Sequence, residues 1–318
     1  MILEISEHGS VLKRNHECFL IKTAENKLEV PAEKVDAVII TANALVSTQV
    51  MSLCIEKGIQ LVLSEWSGRP FGRLWACTLG KAAELRRKQY LNQDSVVAFK
   101  FSKDIVAKKL KEQKKFLVEI RNNRCVNDVT VDHAVRFLQK SLNELKKIEY
   151  SKSFKQELLG LEGSSASVYF SAISSVLPKK YKFTERSRRP AVDPFNAVLN
   201  YAYGLAYGGV EKVVILSGLD PNAGFYHADA YGKPTLVFDL IELFRTRVDR
   251  IAVKVFTKKI ARDGWFQILK HGDSVSVFLA KEARKYIIKE YVSSVEGVVE
   301  KEGWNYCRKL IDLLLCEG

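Results

Sequence analysis

Residues 236–244 read LVFDLIELF, and this segment limits the possible folds more than any other part of the chain. Leu236, Val237, Phe238, Leu240, Ile241, Leu243 and Phe244 leave almost no polar face, so a helix here must be buried. Asp239 and Glu242 nevertheless interrupt it, three apart, a spacing that puts both carboxylates on one face of a helix. Leaving a buried charge unpaired costs about 3–5 kcal/mol, a large part of a stability of about 5–15 kcal/mol. Either a cation compensates the pair, or Arg245, Arg247 and other basic side chains do.

Two further residues are awkward in the same way. Glu162 lies in LLGLEGSSASVYF (158–170), after Leu158, Leu159 and Leu161 and between Gly160 and Gly163. His227 lies in the glycine-rich GLDPNAGFYHADAYGKP (218–234), with Asp229 placed to orient its imidazole as an acceptor. A lone histidine in such a loop is ordinarily structural or exposed, and a buried acid is ordinarily ion-paired. The three share one explanation if they meet at an ion. Oxygen donors with one nitrogen donor suit a hard or borderline divalent metal.

The charge around these residues bears on the chemistry. Residues 1–78 carry a net charge of −1 and residues 79–318 carry +14, so the whole excess lies in the second part. A cationic region beside a near-neutral one points to a polyanion held by the former, against the plainer reading of a protein kept soluble by lysines. A metal set among positive charges suits work on phosphodiesters. Cys18, Cys54, Cys77, Cys125, Cys307 and Cys316 form no C-x-x-C pair and read as scattered thiols in a reducing compartment. The longest apolar runs, 38–40 and 310–315, fall far short of the roughly 20 residues of a membrane span. With no signal-like leader read at the start, a soluble cytoplasmic protein with no membrane partner is expected.

A chain of 318 residues has room for about two domains. The expected class is α+β: a small N-terminal β-sandwich with one helix over 1–78, followed by a larger all-α catalytic domain over 79–318. Short apolar runs at 2–5, 18–21, 28–30, 38–40, 59–63 and 70–75 predict strands. One helix interrupts them, capped by Ser47 or Thr48 and ended by Gly58. Around 78–80 long helical patterns take over. Residues 100–124 hold nine basic and three acidic residues, while Val106, Leu110, Leu117 and Ile120 keep an apolar stripe and the lysines and arginines read as its exposed faces. Asp193-Pro194 is a helix start, because the Asp side chain caps free amides and proline fits the first turn. That helix is expected to run to Gly208-Gly209, with others over 235–250 and 304–315.

The stretch KKYKFTERSRR (179–189) holds six basic residues and one acidic. Arg186, Arg188 and Arg189 are placed to grip phosphates, with Tyr181 and Phe183 able to stack on an unpaired base; a solvated basic loop is the alternative. Tyr201, Tyr203 and Tyr207 read as core with wet hydroxyls. No phosphate-binding G-x-x-x-x-G-K-[ST] loop and no G-x-S-x-G elbow is present, so the attacking oxygen is expected from water or from the substrate.

These segments resemble the signature of the CRISPR-associated integrase/endonuclease family, the enzymes of the spacer-acquisition complex that insert new spacers into CRISPR arrays. The resemblance is carried by LLGLEGSSASVYF, by RRPAVDPFNAVLNYAYGLAY (188–207) and by GLDPNAGFYHADAYGKPTLVFDLIELFR (218–245), in that order. It extends over essentially the whole chain, in the N-terminal part more by architecture than by diagnostic residues. It implies that Glu162, His227 and Glu242 hold Mg²⁺ or Mn²⁺, that Asp239 is a further acidic residue of the catalytic site, and that Lys233 and Arg245 are basic positions of the same motifs. Leu243 departs from the proline of many relatives. The implied reaction is attack of a DNA fragment's 3′-hydroxyl on a phosphodiester at the edge of a repeat, with an associated endonuclease activity. The implied partners are double-stranded DNA fragments, CRISPR repeat DNA, a second copy of the chain joined through the β-domain, and a small companion CRISPR-associated subunit. Two other readings stay open: a metal-dependent nuclease of branched DNA in repair, and a DNA-binding scaffold without catalysis.

Overall fold

The computed structural model describes residues 2–35, 37–64, 70–74, 80–124, 128–187, 190–227, 232–262, 264–271 and 274–316. The expected change of character at 78–80 falls largely outside them, as do Trp75, Cys77, Cys125, Arg188, Arg189 and Asp229.

The N-terminal part runs β1 (Ile2–Ile5), β2 (Val11–Asn15), β3 (Cys18–Lys22), β4 (Lys27–Pro31), β5 (Ala37–Ile40), β6 (Leu45–Val46), α1 (Thr48–Lys57), β7 (Gln60–Ser64) and β8 (Pro70–Arg73). One sheet has the order β1-β5-β7-β8, with β1, β5 and β7 parallel and β8 antiparallel to β7; the other has the order β4-β3-β2-β6. Leu3, Leu12, Phe19, Val38, Val50, Leu53 and Leu61 from both sheets and α1 share one apolar core. Strand β5 is buried along its whole length, as a central parallel strand covered on both sides must be. Its Val38 and Ile40 face that core, while Ala37 and Ile39 join Val62 against Ile215 and Leu216 on the other side. Strands β2 and β6 escaped the sequence reading. Ser47 occupies the position before α1 with extended backbone but makes no capping hydrogen bond through its side chain, and Gly58 ends the helix at φ 67°.

The remainder is mostly helical: α2 (Gly80–Leu91), α3 (Val96–Arg124), α4 (Val129–Lys147), α5 (Phe154–Ser175), α6 (Pro194–Leu216), α7 (Thr235–Ile241), α8 (Arg245–Thr257), then β9 (Phe266–His271), β10 (Ser274–Leu279), α9 (Lys281–Tyr291) and α10 (Gly297–Cys316). The antiparallel pair β9–β10 corrects the all-α expectation. Strand β10 alternates over Ser274–Val277, but Ile268-Leu269 and Val277-Phe278 break the alternation, and both faces keep large apolar residues exposed, Ile268, Leu269 and Phe278 among them. A pattern built on one buried face therefore passes over it.

Helix α6 begins as expected, with Asp193 accepting the Asn196 amide at 2.8 Å and Pro194 in the first turn. It does not stop at Gly208-Gly209. A Cβ on Gly209 would lie 2.7 Å from the Tyr291 hydroxyl, so the glycine permits close helix packing rather than ending the helix. The expected helix over 235–250 is two. After Ile241 the amides of Leu243 and Phe244 reach back only three residues, to Leu240 and Ile241, and the tightened turn redirects the chain before Arg245. Among the described residues no helix is long and apolar enough to cross a membrane.

Candidate active site

Helix α3 contributes the residue around which the site is organised, and composition alone hides it. Lys109 lies next to Leu110 of the buried stripe, and its side chain is only 5% exposed. Its ammonium donates to Glu162 Oε1 from α5 and to Glu242 Oε2, the latter at 2.5 Å. Glu242 Oε1 accepts from Arg245 Nε at 2.6 Å. Glu162 and Glu242, 80 residues apart in sequence, therefore meet at one cation, and two carboxylates are balanced by two bases. Burial by itself would raise the Glu242 carboxyl. The Arg245 guanidinium and the Lys109 ammonium outweigh it and hold the group at about 2. The same contacts push Lys109 and Arg245 upward against the burial that would lower them.

Asp239 has a different set of partners from Glu242. Fully buried, Asp239 accepts the Phe225 and Tyr226 amides on Oδ2, at 2.6 and 3.0 Å, and the His227 amide on Oδ1 at 2.8 Å. His227 Nδ1 lies 2.8 Å from Oδ1 as well. A carboxylate accepts, so Nδ1 carries the proton, and in the neutral ring Nε2 is then the nitrogen with the free lone pair. Asp239 orients the imidazole through Nδ1, while Asp229, expected to do so, lies outside the described residues.

The loop carrying the histidine is strapped to α7 at successive turns, by Thr235 and by Asp239. Thr235 Oγ1 accepts the Gly224 amide at 2.9 Å and donates to the Asn222 carbonyl at 2.6 Å. A Cβ on Gly224 would lie 2.8 Å from the Thr235 backbone, so only glycine allows this approach. From the other side, buried Gln89 of α2 donates to the Asp220 and Ala223 carbonyls at 2.8 Å each and accepts the Asp220 amide at 2.9 Å. Tyr226 brings its hydroxyl into the same interior, where that oxygen has no hydrogen-bond partner. Burial, then the charges of Glu162, Glu242 and Asp239, push the phenol far above its usual range.

Behind Arg245 lies a second buried layer. Its guanidinium sits 4.8 Å over the Tyr203 ring and donates to the Tyr207 hydroxyl at 3.3 Å. Tyr203 and Tyr169 donate to the two oxygens of Asp249, at 2.5 and 2.9 Å. Asp249 is 1% exposed, and burial pushes its carboxyl up to about 6 in spite of the two hydroxyl donors.

Of the basic residues singled out in the sequence, Arg245 belongs to the site and Lys233 is exposed on the segment after the histidine loop. Arg186 is tied to α6, donating to Asn196 and Asn200 at 2.6 Å each, with its guanidinium 5.4 Å over Tyr203. Of the two aromatics expected to stack on a base, Phe183 is a core residue and Tyr181 packs against the core, partly buried. Phe183 lies flat on Phe195 at 4.6 Å, and Tyr181 packs on Phe256 at 4.6 Å. Lys109, Gln89 and Asp249 were missed. The one signal available was position: Lys109 directly precedes the buried Leu110, and Asp249 directly follows the buried Val248.

The donor set suits a divalent cation in its chemistry, since Glu162 and Glu242 already converge on a positive charge and His227 presents Nε2. A buried hydroxyl without a partner, that of Tyr226, lies among the same carboxylates. With Lys109 between the glutamates, however, no three of histidine, cysteine, aspartate and glutamate among the described residues stand close enough to hold a metal together.

Comparison with known proteins places the chain. The family model for CRISPR associated protein Cas1 matches residues 3–293. The CRISPR-associated endonuclease Cas1 1 of Thermodesulfovibrio yellowstonii is 31% identical over 286 residues, covering 89% of this chain and 88% of the relative. Two solved structures share the fold: a casposase bound to integration product, with TM-score 0.77 and 20% identity over 98% of this chain and 95% of that one, and a partial Cas6-RT-Cas1–Cas2 complex, with TM-score 0.77 and 19% identity over 100% and 96%. The chain belongs to the CRISPR-associated protein Cas1 family.

Proposed function

We propose that this protein is a metal-dependent DNA integrase, inserting short DNA fragments into a CRISPR array by attack of a 3′-hydroxyl on a phosphodiester. With water as the attacking group the same site acts as an endonuclease. The observation that carries the reading is the convergence of Glu162 and Glu242 on one buried cation, with Arg245 on Glu242; His227 is held by Asp239 on the helix that leads into Glu242. Family membership supports it, as do the names of the relatives, an endonuclease and a casposase bound to integration product.

Glu162, Glu242 and His227 Nε2 would hold Mg²⁺ or Mn²⁺, which when bound supplies Lewis acidity at the phosphoryl oxygen. The protein's own groups do the rest. Asp239 fixes the histidine tautomer, and Arg245, Lys233, Arg186, Arg188 and Arg189 offset phosphate charge and hold the strands in line. No covalent intermediate on the protein is required. The N-terminal sheets would form a small β-sandwich through which two copies dimerise, and the companion would be a Cas2-type subunit, as in the complex named above. The protein would act in the cytoplasm.

The test is joining of a fragment with a free 3′-hydroxyl to repeat DNA in Mg²⁺ or Mn²⁺. Glu162→Ala, His227→Ala and Glu242→Ala should each lower the rate by about 10²–10³-fold or more, the range for loss of one stabilising group at a reaction centre. Wild-type rates in any one of the three sink the assignment, and cut ends without joined strands would make the protein a nuclease alone.

A further inference from the structure

We infer that Lys109 is the resident counter-ion of the active site, and that a divalent cation binds by displacing its ammonium from between Glu162 and Glu242. The inference deepens the metal-dependent reading above and rests on it. One nitrogen donates to both carboxylates, so it occupies the position on which their oxygens converge. A hard dication takes carboxylate oxygens at about 2.0–2.6 Å. Two cations cannot share those oxygens at such distances without strong repulsion in a buried setting. One must leave.

The surroundings provide for the exchange. Glu162 and Glu242 are balanced by Lys109 and Arg245, so the closed cluster is neutral. Replacing the ammonium by a dication leaves one excess positive charge, the right sign to receive a phosphodiester. One turn further along α3, Gln113 is 1% exposed and its amide oxygen has no hydrogen-bond partner. Residues four apart share a helix face, so this orphan acceptor is placed to take the displaced ammonium. Until the cation arrives, Lys109 keeps the buried Glu242 and the partly buried Glu162 paired and the site assembled.

The experiment measures Mn²⁺ binding to the full chain without DNA, by loss of the free-ion paramagnetic resonance signal, together with melting temperature in chelator and in Mn²⁺. Wild type, Lys109→Met and Lys109→Arg are compared. Lys109→Met should bind Mn²⁺ at least about tenfold tighter, equivalent to about 1.4 kcal/mol. It should melt lower than wild type in chelator and gain more on adding Mn²⁺. Lys109→Arg keeps the charge in a bulkier, forked group and should bind more weakly than wild type. If Lys109→Met does not fold even in Mn²⁺, the arginine variant decides. Equal or weaker binding by the methionine variant, or wild-type binding by the arginine variant, overturns the displacement. If no form of the protein takes up Mn²⁺, the metal-dependent reading itself falls, a result distinct from either of those.

Discussion

Asp239 Oδ1 accepts both the backbone amide and the ring nitrogen Nδ1 of His227, each at 2.8 Å. One carboxylate thus sets the position of the histidine and its tautomer together. Asp239→Asn puts an amide where three backbone N–H groups and a ring N–H all donate, and at least one donor must lose its partner. The expected loss is about 2–3 kcal/mol, the scale of a charge-assisted hydrogen bond. Urea midpoints read the stability, and ¹⁵N shifts of the His227 ring read the tautomer, which should become mixed. An unchanged tautomer would show that the carboxylate does not hold the ring.

Arg245 joins three groups that a shorter cation cannot reach at once: Glu242, the Tyr207 hydroxyl and the Tyr203 ring. Arg245→Met should destabilise the fold by about 3–5 kcal/mol, because Glu242 is left half-compensated in a buried setting. Arg245→Lys should recover only part of this, since an ammonium lacks the planar fork. Equal stability of the lysine variant and wild type would mean the guanidinium geometry is immaterial.

Phe183 tests whether the basic loop reads bases through its aromatics. Its ring is nearly parallel to Phe195, 8° between planes, and meets Phe170 edge-on. Phe183→Ala should therefore cost about 3–5 kcal/mol through a cavity. Single-strand affinity of the folded variant, measured by anisotropy, should stay within about twofold of wild type, well short of the roughly 1–3 kcal/mol that a lost stacking contact removes.

The parts of this site legible in the sequence were those whose oddity is local. Two carboxylates in an apolar run, a histidine among glycines and an Asp-Pro helix start each violate or satisfy a rule within a few residues. Lys109 violates none: it is one of nine basic residues in 100–124, and only the tertiary approach of α5 and of the turn after α7 makes it special. The same limit explains Asp239. Three-residue spacing says that Asp239 and Glu242 share a helix face, not that one accepts from the His227 loop and the other from Lys109 and Arg245. Gly209 looked like a stop because the hydroxyl of Tyr291, 82 residues on, cannot be seen from its neighbours.

Under the proposed function, the +14 net charge of residues 79–318 should make DNA binding strongly electrostatic. For a footprint of about 6–10 phosphates, affinity should fall by roughly 10³–10⁵ between about 50 and 200 mM salt. The slope of log affinity against log salt, taken by filter binding, should be the same in Glu162→Ala as in wild type, since a carboxylate neutralises no phosphate. A flat salt response in wild type would count against a nucleic-acid substrate.

Asp249 gives the fold a pH dependence of unusual sign. Its two hydroxyl donors, Tyr203 and Tyr169, do not offset burial, and the carboxyl rises from 3.8 to about 6. A raised value means that the folded protein holds this proton more tightly than the unfolded chain does. The stability contributed by the neutral form is therefore complete below about 3.8 and is lost as pH climbs through about 6. At 1.36 kcal/mol per unit the loss is of the order of 2–3 kcal/mol. Glu119, Asp128, Glu242, Glu290 and Glu302, whose carboxyls are lowered, act in the opposite direction, so the effect shows only as a difference between two proteins that share them. Asp249→Asn keeps the shape and one acceptor but cannot ionise. Its unfolding free energy relative to wild type should rise by about 2–3 kcal/mol from pH 4 to pH 7 in urea titrations. A difference that stays flat across that window would show that Asp249 is already ionised when buried. Arg245 and Arg186, the nearest guanidinium charges, would then be compensating it more strongly than their positions around Tyr203 imply.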